Sequence, residues 1–313
     1  MKKAILAIVI VLAGAVVVGR IAAPAQAEIV LMAVQGKSPH CPLSLALNSP
    51  AEHLEQEAVK DAYIERLKLG ASDPGFERWD LPASGGEAGH SFWIPAGNRW
   101  VLPFNLAEQF RDIYRTKEAD GIREGDVVLD CGAHVGTFTH FALARGAGKV
   151  IAIEPSPRNV ECLRRNFPKE IAEGRVIVYP KGVWNKDDVL VLEQVGENSA
   201  ADTVVMHQPG ARKGTEVPLT TIDKLVAELG LERVDYIKMD IEGAEAPALE
   251  GAAATLNRWK PRLALASYHK EDDPIVLPAT VSKLAEGYEH RCTSCVSDQY
   301  GSRPEVLLFK AKP

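Results

Sequence analysis

Short, largely apolar runs recur at 127–130, 150–154, 176–179, 234–240 and 262–267. They are too unbroken for half-exposed strands, so each is expected to be a strand buried on both faces. Between them, at 138–143, 221–229, 244–259 and 275–286, apolar residues return every three or four positions, the period of a helix packed on one side. A further helix carries Arg164, Arg165 and Lys169 as a solvated face. Thr220 or Thr221 is placed to cap the helix at 221–229. Strand and helix in alternation predict an α/β domain with a mostly parallel sheet covered on both faces, closed by an antiparallel strand at 305–309. Two alternating runs, 189–194 and 202–207, with a glycine-containing turn at 209–214, suggest an antiparallel pair inserted in that sheet.

Upstream the pattern weakens. Residues 28–48 read as an extended linker. Ser49-Pro50 opens a helical pattern through Leu54, Val59, Ala62, Tyr63 and Leu67. The stretch 70–89, rich in Gly, Pro, Asp and Ser, reads as loop. Residues 90–95 and 98–103 around Ala96-Gly97 suggest a hairpin, followed by a helix near 107–116. The chain therefore divides into 1–27, 28–89 with its single helix, and a domain over 90–313.

The chemistry concentrates where strands end. Val127-Val128-Leu129-Asp130 runs into Cys131-Gly132-Ala133-His134-Val135-Gly136 and then a helix. Glycine allows positive φ and close backbone approach to a ligand, and His tolerates positive φ better than most residues. The second strand ends in Glu154, and an acid at that position can accept both hydroxyls of a ribose. Dinucleotide sites favour G-x-G-x-x-G, which seats a pyrophosphate on a helix N-terminus. The order here, Asp130-x-Gly132-x-His134-x-Gly136, instead resembles the D-x-G-x-G-x-G turn of class I S-adenosylmethionine (SAM) methyltransferases.

With Val234-Asp235-Tyr236-Ile237-Lys238-Met239-Asp240-Ile241-Glu242-Gly243-Ala244-Glu245 the chain resembles the FkbM-type methyltransferases. VVLDCGAHVGTF, AIEPSPRNVECLRRN, VPLTTIDKL and VDYIKMDIEGAE occur in that order. His134 stands where that family more often has Asn. The resemblance implies a Rossmann-like class I methyltransferase fold with a seven-stranded type of sheet, SAM as cofactor, and O-methylation of a small molecule or sugar. Glu154 would take the ribose hydroxyls. Gly132, His134 and Gly136 would approach the methionyl end, with Asp130 ordering the turn and Trp184 flanking the adenine.

Methyl transfer to a hydroxyl needs alignment and a base. Asp240, Glu242 and His269 are the candidates. The two acids alternate on an extended segment and so face one side. Glu245 is expected to cap the following helix. An acid pair can hold a divalent ion, but the sequence offers no third ligand beside it, so no metal site is expected. The rival readings are a membrane-anchored domain that binds SAM or a sugar without turnover, and a nicotinamide-dependent oxidoreductase, which the absence of G-x-G-x-x-G disfavours. Trp93 and Trp100 are candidates for the wall of an acceptor site.

Composition bounds the partners. Of 313 residues 46% are hydrophobic and 25% charged, and the net charge is −6. No basic excess exists to track a phosphate backbone, which argues against nucleic acid as substrate. Lys2 and Lys3 precede an apolar run from Ala4 to Gly19, with Ala25-Gln26-Ala27 beyond it. That describes a secretory signal peptide or, uncleaved, a membrane anchor. Because SAM is made inside cells, an anchor with a cytoplasmic domain is the favoured reading, ahead of export or a start placed too early. Five cysteines, one inside the glycine turn, are not expected to form a disulfide framework. Cys292-Thr293-Ser294-Cys295 lacks the second pair that a structural zinc needs and reads as a hairpin with two small residues.

Overall fold

The computed structural model describes residues 24–38, 40–83, 89–115, 121–194, 198–205, 212–298 and 301–312. The apolar run at 4–19 lies outside these. Among the described residues no helix is long and apolar enough to cross a membrane. Residues 28–48 are not an extended linker: they contribute to helices α1 (Pro24–Val34) and α2 (Leu43–Arg66). α2 begins before Ser49-Pro50 and runs through it. Proline at 50 cannot donate to the carbonyl of Ala46, and the Ser49 hydroxyl donates to that carbonyl instead, at 2.8 Å.

The expected loop at 70–89 holds two strands, β1 (Lys68–Asp73) and β2 (Phe76–Leu81), joined through Pro74-Gly75. Gly75 has φ +83°, the conformation that a Pro-Gly turn supplies. β1 is largely exposed and lacks apolar alternation, which hides it in the sequence. β3 (His90–Pro95) pairs with β2. It forms no hairpin with 98–103, where α3 (Val101–Arg111) begins instead.

The core then follows the expected alternation. β4 (Val127–Cys131), α4 (Thr137–Ala144), β5 (Lys149–Ile153), α5 (Pro157–Asn166), α6 (Pro168–Ala172) and β6 (Val176–Tyr179) form one half. β7 (Gly182–Val183), β8 (Asp188–Gln194) and β9 (Arg212–Thr220) follow. α7 (Ile222–Glu228), β10 (Tyr236–Met239), α8 (Glu245–Glu250), α9 (Ala253–Trp259), β11 (Arg262–Ala266) and α10 (Asp273–Leu284) build the other half. β12 (Tyr288–Cys292), β13 (Cys295–Asp298), β14 (Gly301–Pro304) and β15 (Val306–Ala311) complete the chain.

Seven strands lie in the order β12-β15-β11-β10-β4-β5-β6. β15 is antiparallel to both neighbours, and β11, β10, β4, β5 and β6 run parallel. The chain builds outward from β4 through β5 to β6, then returns to place β10 on the other side. A crevice opens at the strand ends beside such a reversal. Pleat alternation divides the core. Leu129, Cys131, Ile237 and Met239 face one layer, and Val128 and Tyr236 face the other, against Phe138 and Tyr114.

Three local expectations change. β8 pairs with β9, not with 202–207, and together with β7 they form a separate three-stranded sheet. Thr203 makes only an isolated bridge to Glu193, and 206–211 lie outside the described residues. The helix expected over 244–259 breaks into α8 and α9 at Gly251, where a Cβ would collide with the carbonyl of Trp184. At α7 it is Thr221 that caps, accepting from the Lys224 amide at 3.1 Å.

The N-terminal extension is bound to the core. Tyr63, Leu81, Phe92, Ile94, Leu102 and Leu106 bury against Val135 and Cys162. Arg111 pairs with Glu305 at 3.1 Å. Cys41 and Cys295 form a disulfide, contrary to expectation, because the 254-residue separation between them closes only in the fold. β12 and β13 do not pair with each other, so the CxxC bridges two sheets and forms no hairpin.

Two glycines separate packing from backbone approach. A Cβ at Gly132 would strike the carbonyl oxygen of Asp240, and one at Gly136 would strike the Phe167 ring. Both have positive φ. A ring can shift, whereas a carbonyl fixed at a sheet end cannot. Gly136→Ala should cost about 1–3 kcal/mol, and Gly132→Ala more. Urea unfolding of both variants at unchanged m-value tests this; an equal or reversed order would contradict it.

Candidate active site

The glycine turn after β4 is held from outside by β5. One Glu154 oxygen accepts the His134 amide at 2.9 Å, and the other accepts the Ser156 amide at 2.9 Å and the Asn159 side chain at 3.3 Å. Burial pushes the Glu154 carboxyl up to about 7, against these donors, which pull it down. His134 adopts φ +50°, as a residue at the middle of this turn must. Burial holds its imidazole down to about 3, with Lys238 acting in the same direction, so it is neutral at physiological pH. The side-chain nitrogen of Asn105 can only donate, at 3.2 Å, to Nδ1. The proton then sits on Nε2, which donates to the Ser199 hydroxyl at 2.8 Å. The imidazole thus links α3 and the turn at Ser199–Ala201 to the strand end.

β10 pairs with β4 so that Lys238 lies opposite Asp130. The Lys238 ammonium sits 3.4 Å from Asp130 and donates to the Gly132 carbonyl at 2.9 Å. Burial pulls its pKa down, but the carboxylates of Asp130 and Asp240 outweigh that and hold it above its ordinary value. Asp130 is fully buried and also accepts the Thr139 hydroxyl at 2.7 Å. It therefore orders the turn through a lysine and a threonine rather than through the turn amides.

Past β10 the chain turns left-handed at Glu242, φ +54°, and Gly243, φ +89°. Glu242 and Asp240 thus face one space through a turn, not through strand alternation. Asp240 accepts the Tyr114 hydroxyl at 2.9 Å and the Tyr268 hydroxyl at 3.4 Å. Burial raises its pKa, but Lys238, His269 and the two phenols together hold it below the ordinary value. Glu242 is raised by burial. His269 follows β11, with Nε2 at 3.4 Å from Asp240 and 3.6 Å from Glu242 and Nδ1 at 3.1 Å from Glu245. Burial lowers its pKa, and the surrounding carboxylates more than reverse this. Glu245 caps the turn before its helix, accepting the Ile241 amide at 2.9 Å.

Two cavities meet at Gly132, His134, Asp240 and Glu242. The wider, about 630 Å³, is walled by Trp100, Val101, Phe104, Glu108, Tyr114, Lys238 and Tyr268. The narrower, about 60 Å³, reaches Glu154 between Val183, Leu192, Leu219 and Asp202. Asp130, Gly136 and Trp184 line neither. Asp130 is sealed beneath the turn, and Gly136 accommodates Phe167. The amide of Trp184 extends the β7–β9 pairing by donating to Thr220, and its side chain packs against the cluster of Leu192, Val217 and Leu219. Val183, one residue earlier, is the one that faces the cavity. His269 stands behind Asp240 and Glu242. Trp100 reaches the wide cavity, whereas Trp93 packs under Arg165. Lys238 and Tyr114 were missed, and the signal for Lys238 was a cation at the third place of an otherwise apolar strand.

The sheet order, the antiparallel strand next to its edge, and a glycine turn beside an acid on the adjacent strand define a class I methyltransferase fold. Residues 130–307 match the methyltransferase FkbM domain, more than half of the chain, and the chain belongs to that family. It is 26% identical over 181 residues to the 31-O-demethyl-FK506 methyltransferase FkbM of Streptomyces tacrolimicus, covering 49% of this chain and 70% of that protein. It is 26% identical over 245 residues to the AMB antimetabolite synthetase AmbE of Pseudomonas aeruginosa, covering 63% of this chain but only 12% of that protein. The crystal structure of methyltransferase FkbM from Methylobacillus flagellatus KT is similar at TM-score 0.42 and 18% identity, covering 83% of this chain and 60% of that one.

Lys238 and Asp130 are 5% and 0% exposed, so either charge alone is costly. Lys238→Met should destabilise the protein by about 3–5 kcal/mol. Adding Asp130→Asn should restore part of that loss, because the stranded charge is then removed. Denaturant unfolding of the two single variants and the double variant gives the coupling; strictly additive losses would show that the pair does not interact.

Proposed function

We propose that the protein transfers a methyl group from SAM to a hydroxyl of a small molecule or sugar. The observation that carries this is the junction of the two cavities. A buried carboxylate suited to ribose hydroxyls stands in one, a group of acids and phenols stands in the other, and the backbone of Gly132 and His134 lies between them. The residues present fit the cofactor. Gly132 leaves its backbone bare, Glu154 faces the narrow cavity, and Val183, Leu192 and Leu219 offer an apolar wall for a flat base. That cavity is smaller than the roughly 300 Å³ of an ordinary ligand pocket. The wall at Ser199–Ala201 therefore has to move outward as the adenosyl group enters.

SAM would supply an activated methyl group on a sulfonium. The protein's own task is to align the acceptor oxygen with that carbon and to take its proton. Trp100, Val101 and Phe104 hold an apolar part of the acceptor. The phenols of Tyr114 and Tyr268 stay protonated and orient Asp240. Glu242 receives the proton more readily than Asp240, because burial raises its carboxyl while Asp240 is held low. O-methylation accords with the name of the Streptomyces tacrolimicus relative, a 31-O-demethyl-FK506 methyltransferase.

Calorimetric titration of the whole chain with SAM, S-adenosylhomocysteine and NAD tests the cofactor. The first two should bind and NAD should not, and Glu154→Ala should abolish the binding; a preference for NAD would overturn the reading. The pH dependence follows from Glu154. Its carboxyl titrates near 7, and only the carboxylate accepts both ribose hydroxyls. SAM affinity should therefore fall as pH drops from 8 to 6, by up to about tenfold per unit. In Glu154→Gln the profile should be flat, and an unchanged slope there would assign the titration elsewhere.

A further inference from the structure

We propose that Asp240, Glu242 and His269 form a binding site for one divalent cation of the Mn²⁺ or Mg²⁺ type, at the wall of the wide cavity. Carboxylate oxygens of Asp240 and Glu242 and a ring nitrogen of His269 all lie within 4.8 Å of one another. His269 Nε2 is 3.4 Å from Asp240 Oδ1 and 3.6 Å from Glu242 Oε1. Ligands sharing one ion at about 2.0–2.1 Å stand roughly 3.0–3.4 Å apart, so only small movements would close this set around an ion.

The acids do not carry the proposal alone. The His269 side chain is 3% exposed, and neither ring nitrogen has a hydrogen bond of acceptable geometry. Three carboxylates surround the ring at ion-pair distance, yet none completes a hydrogen bond with it, and Nε2 lies nearest to Asp240 and Glu242. Its other nitrogen lies 3.1 Å from Glu245, whose carboxylate is fixed by the Ile241 amide. Carboxylate, imidazole and ion in line is the arrangement that orients a metal-ligating histidine. Glu242 reaches the set from a left-handed turn at φ +54°, a conformation that a non-glycine residue rarely adopts. Glu245, His269 and Asp273 make a second possible trio. Its carboxylates already accept the amides of Ile241 and Lys270, and it does not face the cavity.

Two carboxylates and one imidazole leave further coordination positions open toward the cavity, and oxygen donors suit the hard ions. The ligand class is then an acceptor that offers one or two hydroxyl oxygens. Coordination weakens the acceptor O–H bond. The proton leaves to a carboxylate oxygen not engaged by the ion or to solvent, and the oxygen forms the new C–O bond as the methyl–sulfur bond breaks. This last step rests on the methyltransferase reading; the binding of the ion does not.

The test is titration of the chelator-dialysed full chain with MnCl₂, read by electron paramagnetic resonance. One ion should bind per chain, with nitrogen coupling from an imidazole. Binding should weaken at least about tenfold in Glu242→Gln and Glu245→Gln, and the nitrogen coupling should vanish in His269→Ala. Absence of Mn²⁺ binding, or binding without nitrogen coupling, overturns the site. If His269→Ala fails to fold, weaker binding in Glu242→Gln with the nitrogen coupling retained still assigns the ion to this set, and unchanged binding there overturns it. A parallel SAM titration without metal separates the two readings. SAM binding without Mn²⁺ binding removes only the metal site, and Mn²⁺ binding without SAM binding removes only the cofactor assignment.

Discussion

The ammonium of Lys238 is the contact on which the site depends. It neutralises Asp130 on the neighbouring strand and grips the carbonyl of Gly132. The first of these makes a buried acid tolerable beneath the turn; the second fixes the turn to β10. Both follow from one parallel register that sets Lys238 opposite Asp130. The same alternation brings Asp240, two residues on, to the mouth of the cavity. A slip of β10 by one residue would send Lys238 and Asp240 to the other face of the sheet, away from Asp130.

Around that anchor the polar groups divide by burial and partner. Glu154 is raised by burial and held by amides, His134 is kept neutral, and Asp240 is held low by a cation and two phenols. Groups perturbed in this way by burial and by specific partners concentrate at functional sites. The N-terminal extension supplies what the sheet cannot. α3 brings Trp100 and Phe104 to the wall and Asn105 to His134. Its attachment through the Cys41–Cys295 disulfide and the Arg111–Glu305 ion pair holds that wall against the core.

Much of the core was legible because its signals are local. Strands buried on both faces read as apolar runs, and a turn needing positive φ reads as glycine. The misreadings have identifiable causes. β1 is exposed and carries no alternation, α2 runs through a proline whose missing bond a serine replaces, and 244–259 breaks where the carbonyl of Trp184 intrudes. In β1 and at 244–259 a contact from elsewhere decided the local structure, and in α2 a side chain three residues from its acceptor did.

The sequence by itself determined the fold class, the glycine turn and the acid at the end of the second strand, because backbone conformation and strand or helix period are written in neighbouring residues. Only the tertiary structure decided that Asp130, Gly136 and Trp184 stand away from the cavities and that Lys238 is the turn's anchor. It also decided that His269 completes a set with Asp240 and Glu242. Those relations depend on which strands lie side by side and in what register, and no stretch of sequence encodes that on its own.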